Sequence, residues 1–456
     1  MKFIHTADLH IGKSVCEHSM LDEQRHILAR ILEAVDSEKP DAVLIAGDVY
    51  DKSVPSAEAV GVLDDFLVEL ATRKVRTFVL SGNHDSAERI AFGGRLMERS
   101  GVHVSPVYDG SFTPVTLGNS EGEVDVWMLP FVRPVNVRAC LATDEERDAV
   151  KDYTSAVKAA IAQMHFTPGR RNVLLAHQFV TGAERSESEE NVGGLDNVDA
   201  TVFAAFDYVA LGHIHKPQNV LKGDDGTVRA RYSGTPLKYS LSEAEHKKSL
   251  TVVELGAAGD SAGLAALQIR EIPLVPLHDV REVRGTFAEI VSPEFRNAQV
   301  AEGKKLDDFV YVKLTDENDV PDAAQKLRGI YPNLMMLGYD NERTRHEEDT
   351  GVAEQVEKKR PMELFGEFFE GRNGRAMNEE ESEFVQNLVN GIRAERRNHK
   401  PSRSHQFSPQ MPARRRFSMR FLSRFSVRRA EVAATGMAIT PSISVARMRG
   451  PRRPRS

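Results

Sequence analysis

The stretch DAVLIAGDVYD, residues 41–51, decides the fold because it joins a fully apolar run to a turn that ends in a carboxylate. Residues 43–45 are predicted to form a strand that is buried on both faces. Gly47 lets the backbone turn sharply, so Asp48 is placed at the carboxyl end of that strand, the edge where open α/β sheets bind ligands. Asp48 is therefore a candidate functional residue, although an aspartate at a strand end more often only caps the next helix.

The same succession of strand, polar residues and helix occurs on both sides of this stretch. Predicted strands at 2–10 and 75–80 end in the polar groups DLH and SGNHDS, and helical spacing of apolar residues predicts helices at 21–35 and 55–70. Asp8 and His10 are expected to point to one side of an extended chain. Alternating elements of this kind predict a layered α/β domain with its reactive groups on one edge.

Further strands deliver three more histidines. Residues 172–176 and 208–211 are predicted strands that lead to His177 and to the pair His213 and His215. The remaining elements predicted for this part are strands at 102–104, 124–129, 228–232 and 250–255 and a helix at 144–164.

Shifts in composition divide the rest of the chain. We expect a catalytic domain at 1–256, a linker at 257–271, a small α+β capping domain at 272–345, a segment of amphipathic helices at 346–397 and a tail at 398–456. The tail is rich in Arg, Ser and Pro and is predicted to be disordered. From residue 401 onward it holds 13 Arg, no Lys and one acid, Glu431, which leaves open a DNA-binding arm or an extension read in a shifted frame.

Composition restricts the class of protein. The chain has 456 residues, 41% of them hydrophobic and 28% charged, as in an ordinary globular protein with room for two or three domains. Two cysteines, Cys16 and Cys140, cannot form a disulfide framework or a thiolate metal cage. No apolar run approaches the roughly 18 residues of a membrane span, so a cytoplasmic protein without membrane contact is expected.

The polar side chains at the strand ends are carboxylates, an amide and imidazoles, without a thiolate. Such ligands suit borderline divalent ions such as manganese, iron or zinc. Their number is too large for one ion and fits two ions that share a bridging carboxylate, for which Asp48 is the natural candidate. Two such ions activate water and hold a phosphate for in-line attack, so hydrolysis of a phosphoester is predicted. The candidate metal ligands are Asp8, His10, Asp48, Asn83, His177, His213 and His215.

The motifs DLH, GDVYD, GNHDS, AHQ and GHIH resemble, in order and rough spacing, the five motifs of calcineurin-like metallophosphoesterases. The flanking words HTADLHIGK, LGHIHKPQ and YSGTPLKYSLSE are similar to those of the SbcD family of nuclease subunits, over residues 1 to about 395. The resemblance implies a layered sandwich of mixed sheets flanked by helices, with a small capping domain and C-terminal helices.

The resemblance also implies a role for each site residue. One ion would be held by Asp8, His10, Asp48 and His215, and the other by Asp48, Asn83, His177 and His213. His84 would face the scissile phosphate as a catalytic residue, and Asp85 would orient it. Asp51 stands where archaeal relatives carry a second active-site histidine, so which other groups assist the leaving group stays open.

The implied activity is manganese-dependent hydrolysis of DNA phosphodiesters, as a 3'-5' double-strand exonuclease and as an endonuclease that also cuts hairpins, in DNA repair, replication and recombination. The implied partners are DNA ends, a second copy of the chain and an SbcC-type ATPase, two of each subunit. Candidate DNA contacts are Lys13, Lys52, Arg89, Arg133 and Lys216, and candidate partner contacts are Leu364, Phe365, Phe368, Phe369, Phe384 and Leu388.

Two other functions stay open at this stage. One is a phosphoesterase for a small substrate, against which the capping domain and the distal helices argue, because a small substrate requires neither. The other is a non-catalytic scaffold that binds DNA and an ATPase. An intact His84 beside a complete ligand set argues against a scaffold, because a structural metal site has no need of an acid or of open coordination positions.

Overall fold

The computed structural model describes residues 1–120, 122–184, 186, 197–223, 226–257, 266–341, 366, 377, 382, 385 and 386. The chain divides into two units, Met1–Val352 and Ala353–Ser456, and the elements below all belong to the first. The six candidate partner contacts between Leu364 and Leu388, and the whole tail 398–456, lie outside the described residues.

The described elements confirm the predicted alternation of strands and helices. The strands are β1 Lys2–Thr6, β2 Ser14–Val15, β3 His18–Ser19, β4 Ala42–Ile45, β5 Arg76–Val79, β6 Val102–Val104, β7 Val115–Asn119, β8 Gly122–Leu129, β9 Arg171–His177, β10 Tyr208–Gly212, β11 Gln218–Lys222, β12 Val228–Tyr232, β13 Ser249–Leu255, β14 Leu267–Pro273, β15 Val280–Gly285, β16 Phe309–Leu314 and β17 Leu334–Tyr339. The helices are α1 Leu21–Glu38, α2 Ala57–Thr72, α3 Ala87–Ile90, α4 Gly94–Met97, α5 Pro134–Cys140, α6 Asp144–Ala149, α7 Tyr153–Ile161, α8 Phe287–Ile290, α9 Pro293–Ala301 and α10 Ala323–Arg328.

Two large sheets have related topologies. The first has the order β14-β13-β1-β4-β5-β6, in which β1, β4, β5 and β6 are parallel and β13 and β14 run antiparallel. The second has the order β11-β12-β10-β9-β8-β7, with parallel strands at its centre and antiparallel strands at both edges. The carboxyl ends of the central strands of each sheet therefore meet at one edge of that sheet.

The strands are buried on both faces because each sheet packs against its partner on one side and against helices on the other. On the first sheet, Ile4 and Val43 pack against α1 and α2, whereas Phe3 and Leu44 face the second sheet. Val157 of α7 covers the outer face of the second sheet. These layers form a helix–sheet–sheet–helix sandwich, which confirms the predicted fold class.

The third sheet, β15-β16-β17, is parallel and belongs to the predicted capping domain. Its side chains contribute to two cores. Val312 and Leu327 lie in a core of its own, whereas Val280, Phe309 and Tyr311 pack into the core around α1. The third sheet is thus packed directly onto the helical side of the first one.

Three predictions of secondary structure need correction. The helix predicted at 144–164 is two helices, α6 and α7, because Asp152 leaves the helical conformation and its side chain caps α7 by accepting from Ser155 N. The linker predicted at 257–271 contains the start of β14, an edge strand of the first sheet with alternating burial that its high polarity conceals. Asp8 and His10 do not continue an extended strand, since β1 ends at Thr6 and both residues have positive φ.

Candidate metal centre

The site lies where the strand ends of the two large sheets meet. Four of its residues adopt the left-handed conformation that non-glycine residues rarely take, namely Asp8 (φ 53°), His10 (φ 45°), Asp48 (φ 45°) and His213 (φ 108°). The loops after β1 and β4 are joined by backbone hydrogen bonds, from Asp8 N to Gly47 O at 3.0 Å and from His10 N to Asp48 O at 2.9 Å. Local strain of this kind is concentrated at functional sites, where the surrounding structure stabilises it.

Glycines at the same strand ends allow the loops to approach closely. Gly47 has φ +92°, and a Cβ placed there would collide with the ring of His177. A Cβ on Gly82 would collide with the carboxylate and backbone of Asp48, and one on Gly212 with Ala46 O. The motif glycines therefore give the ligand side chains the space in which they converge.

Two clusters of candidate donors share Asp48. Asp8, Asp48 and His177 each offer a donor atom within 4.8 Å of the others, and so do His10, Asp48 and His84. Asp48 Oδ2 is 3.4 Å from His177 Nε2 and 3.9 Å from His10 Nε2. A carboxylate between two sets of nitrogen and oxygen donors has the geometry of a bridging ligand.

The other predicted ligands join these clusters. Asn83 Oδ1 is 2.9 Å from both His177 Nε2 and His213 Nδ1. His215 Nε2 is 3.2 Å from His10 Nε2. The structure therefore brings together all seven side chains that the sequence analysis proposes as ligands, and their donor chemistry fits divalent cations.

Electrostatics at the site favour ligand-competent side chains. Burial alone would raise the pKa of Asp48, but the imidazoles of His177, His10 and His84 hold it well below its usual range. Burial holds the pKa of His10 well below its usual value, although Asp48 acts in the opposite direction. An ionised carboxylate beside a neutral imidazole is the state in which both groups bind metals.

His84 is the exposed member of the site, with 40% of its side-chain surface accessible. Its Nδ1 lies 3.0 Å from Asp51 O and donates to that carbonyl, and its Nε2 lies 4.0 Å from Asp48 Oδ2. His84 also donates its backbone N–H to Asp48 Oδ1 at 2.9 Å. The residue therefore both orients the shared carboxylate and presents an imidazole to the open side of the site.

Asp85 does not orient the His84 ring as the sequence analysis expects. Its carboxylate accepts hydrogen bonds from the backbone N–H groups of Val49 (3.0 Å), Tyr50 (2.9 Å) and Gly82 (2.9 Å). Burial and the nearby Asp48 charge raise the pKa of Asp85 to about 6. Asp85 is therefore a side chain that ties the loop after β4 to the loop after β5, and the carbonyl of Asp51 holds the His84 ring.

Sequence reasoning missed a buried ion pair behind His215. Glu243 Oε1 is 3.0 Å from His215 Nδ1, and Glu243 Oε2 is 2.6 Å from Lys248 Nζ. Burial alone would raise the pKa of Glu243, but the hydrogen bond from His215 and the charge of Lys248 hold it well below its usual range. Glu243 and Lys248 come from the turn before β13 and from the residue just before that strand, so no motif spacing identifies them.

A second missed group fixes the loop that carries His10. Gln24 of α1 donates to His10 O at 2.7 Å and accepts from Gly12 N at 2.9 Å. Tyr239 donates to Leu9 O at 2.6 Å. A glutamine inside a helix has no distinctive sequence signal, and its burial of 1% exposure is the observation that identifies it.

The five candidate DNA contacts occupy different environments. Lys52, Arg89 and Arg133 are exposed. Lys13 pairs with Asp51 at 2.8 Å with 18% of its side chain accessible, and Lys216 pairs with Glu184. The first three are therefore better placed to reach a ligand than the two lysines, which already have carboxylate partners.

Comparison with protein families agrees with this geometry. Residues 1–217 match the family of calcineurin-like phosphoesterases, and residues 276–373 match a family described as the type 5 capsule protein repressor C-terminal domain. The chain therefore carries a calcineurin-like phosphoesterase domain and belongs to the class of metallophosphoesterases.

Within this class the chain is a homologue of SbcD, the D subunit of the nuclease SbcCD. It is 28% identical to the SbcD of Staphylococcus epidermidis over 397 residues, which cover 86% of this chain and 99% of the relative. The SbcD of Staphylococcus saprophyticus is also 28% identical, over 400 residues that cover 86% of this chain and 98% of the relative.

Two solved structures are similar over part of the chain. One is a protein of Thermus thermophilus, with a TM-score of 0.33 and 14% identity over 59% of this chain and 98% of the other. The other is a dimetal phosphatase from Danio rerio, with a TM-score of 0.35 and 10% identity over 60% of this chain and 98% of the other. Separately, none of the helices among the described residues has the length and apolarity needed to span a membrane.

Proposed function

We propose that the chain is the nuclease subunit of an SbcCD-like complex and hydrolyses DNA phosphodiester bonds with two divalent metal ions. The observation that carries this proposal is the position of Asp48, whose carboxylate belongs to two donor clusters and lies beside the exposed ring of His84. A shared carboxylate with an open side suits a two-metal hydrolase, because a purely structural site is closed by protein ligands.

The residues would divide into two ligand sets. Asp8, His10, Asp48 and His215 would hold one ion, and Asp48, Asn83, His177 and His213 would hold the other. This division is supported by the contacts between His10 and His215 and between Asn83 and both His177 and His213. When bound, the ions would supply an activated water and positive charge on the phosphate oxygens. Manganese is the metal we propose.

The protein's own groups would position the reaction. The hydrogen bond from His84 Nδ1 to Asp51 O fixes the ring so that Nε2 faces the site. From there a protonated His84 would stabilise developing charge or donate its Nε2 proton to the leaving oxygen. Asp85 holds the loops that carry Asp48 and His84 at a fixed separation.

The substrate and partner follow from the relatives. Similarity to SbcD of the SbcCD nuclease along nearly its whole length supports DNA as the substrate and an SbcC-type ATPase as the partner. We propose exonuclease and endonuclease activity, an assembly with two copies of each subunit, and a cytoplasmic location. The exposed Lys52, Arg89 and Arg133 are proposed contacts to DNA phosphates.

Cleavage by the purified full-length chain with Mn²⁺ tests the proposal, with a linear duplex and a small phosphodiester as substrates. The wild-type protein is expected to cut both substrates. Asp48→Asn should lose cleavage together with metal uptake. His84→Gln should lose at least about 100-fold in rate, the usual contribution of an acid group, and still bind Mn²⁺.

Other results would contradict the proposal in different ways. Cleavage of the small ester alone, even with an SbcC-type ATPase and ATP added, would indicate a phosphoesterase for small substrates. Binding of metal and DNA without cleavage of either substrate would indicate a scaffold. A His84→Gln protein with undiminished cleavage would remove His84 from the reaction.

A further inference from the structure

The structure assigns to Glu243 and Lys248 the role of positioning residues that hold His215 in the orientation and tautomer required for binding its metal ion. This inference rests on the proposed two-metal site and adds residues to it that belong to none of the family's five motifs. It concerns the ligand set that contains His215.

The first step is the tautomer of His215. Glu243 Oε1 lies 3.0 Å from His215 Nδ1, and Glu243 Oε2 lies 2.6 Å from Lys248 Nζ. An ionised carboxylate beside an ammonium group only accepts hydrogen bonds. The proton of the His215 ring must therefore sit on Nδ1, and the Nε2 lone pair is directed toward His10 Nε2, 3.2 Å away.

The second step is the hold on the backbone. Lys248 Nζ donates to His215 O at 2.9 Å as well as to Thr235 Oγ1 at 2.7 Å. The Glu243 and Lys248 pair thus grips His215 at both its ring and its carbonyl. Each of these atoms belongs to a buried residue, with Glu243 and Thr235 at 0% exposure and Lys248 at 6%.

The third step is the cost of such a pair. Two buried charges carry a large desolvation penalty, which their attraction does not always offset, so stability alone is a poor reason for placing them here. A carboxylate behind a metal-binding imidazole fixes the ring and strengthens its donor atom. His177 has a different arrangement, since its Nδ1 lies 2.9 Å from the neutral carbonyl of Ala46 and 3.8 Å from Asp8 Oδ1.

The test is Mn²⁺ uptake by the full-length chain, measured by calorimetry and by electron paramagnetic resonance of free Mn²⁺. Wild type is expected to bind two ions. Glu243→Gln should weaken the binding of one ion by roughly 10- to 100-fold and leave the other unchanged. Glu243→Gln/Lys248→Met, which leaves no unpaired buried charge, should show the same loss, so that misfolding from an orphaned lysine is separated from loss of positioning.

A matched control is available in the third sheet. Asp308 is also a buried carboxylate in an ion pair, with Arg281 at 3.0 Å, and it contacts no proposed ligand. Asp308→Asn should change stability without changing either Mn²⁺ affinity. Nitrogen NMR of metal-free protein gives a second readout, because His215 should carry its proton on Nδ1 in wild type and show mixed tautomers in Glu243→Gln.

The outcomes separate this inference from the proposed function. Wild-type protein that binds two ions, with Glu243→Gln losing neither, would overturn the role of Glu243 and leave the proposed function intact. Equal weakening of both ions would also overturn it, because a positioning residue for His215 acts on one ion. Wild-type protein that binds no Mn²⁺ would overturn both proposals.

Discussion

At the scale of single residues, the site depends as much on glycines as on ligands. The left-handed conformations of Asp8, His10 and Asp48 fold three ligand loops into a small volume. The glycines beside them carry no chemistry, but they leave room for the side chains that do. Gly82 is the clearest case, because a Cβ there would meet both the carboxylate and the backbone of Asp48.

We therefore predict that Gly82→Ala displaces Asp48. The expected results are a loss of Mn²⁺ uptake and a fall in the free energy of unfolding of about 1–3 kcal/mol, the usual cost of overpacking. Calorimetry and denaturant unfolding measure the two effects. The control is Gly61→Ala in α2, where a Cβ meets open space and should stabilise the protein by about 0.5–1 kcal/mol. Unchanged Mn²⁺ uptake in Gly82→Ala would contradict the predicted displacement.

The sequence predicts the ligands well because each follows a strong strand signal and the topology brings the strand ends together. His177 and His213 are identified in this way, from short apolar runs that end in a histidine. The supporting residues are not predictable by the same reasoning. Gln24, Tyr239 and Glu243 act through contacts between segments that are distant in the chain or through a turn, and only the tertiary structure brings those segments together.

At the scale of elements, a buried histidine joins the two large sheets. His5 of β1 accepts at Nδ1 from the Tyr208 hydroxyl at 2.8 Å and donates from Nε2 to Leu211 O at 3.2 Å, both on β10. The neutral ring satisfies both contacts. Burial, together with the charge of Arg231, lowers the pKa of His5 to about 3, against the opposing effect of its bond to Leu211.

This link predicts a pH dependence of stability. Between about pH 6.5 and pH 3 the unfolded chain binds a proton at His5 that the folded chain does not, so the free energy of unfolding falls as the pH falls through this window. From pH 7 to pH 5 the contribution of His5 is about 2 kcal/mol, at about 1.4 kcal/mol for each pH unit below its unfolded pKa. Denaturant unfolding of wild type and His5→Gln measures it as the difference in pH slope.

A control separates His5 from the other histidines. His165 is exposed, and His165→Gln should leave the slope of wild type unchanged. Identical slopes for His5→Gln and wild type would mean that His5 does not need to stay neutral in the folded protein. The strands that carry these contacts were predictable from the sequence, whereas their pairing across two sheets was not, because apolar runs do not specify which sheet a strand joins.

At the scale of the whole molecule, charge is distributed unevenly. The chain has a net charge of -7, although the 13 arginines from residue 401 onward are opposed by a single acid there. The part that carries the metal site is therefore acidic. Attraction of DNA to that part must come from bound metal ions and local basic residues such as Arg89 and Arg133 rather than from an overall basic field.

The last prediction concerns the proposed partner segment, residues 346–397, which lies almost wholly outside the described residues. If Phe368 belongs to an apolar helix face that docks in a groove of an SbcC-type ATPase, Phe368→Asp should weaken binding by about 30-fold or more, the effect of losing one central apolar anchor. Titration calorimetry with the purified ATPase measures the affinity. Cleavage of a small phosphodiester by the isolated chain should not change, because the proposed ligands all lie between residues 8 and 215.

Val300→Asp is the control for this experiment, since Val300 is an apolar side chain on α9 with 53% exposure. It introduces the same charge on an exposed surface of the capping domain and should leave ATPase binding intact. Equal binding by wild type and Phe368→Asp would place the docking surface elsewhere. Equal loss in both variants would indicate a nonspecific effect of the added charge. Loss in Phe368→Asp alone, with cleavage of the small ester retained, would show that partner binding and chemistry reside in separate parts of the chain.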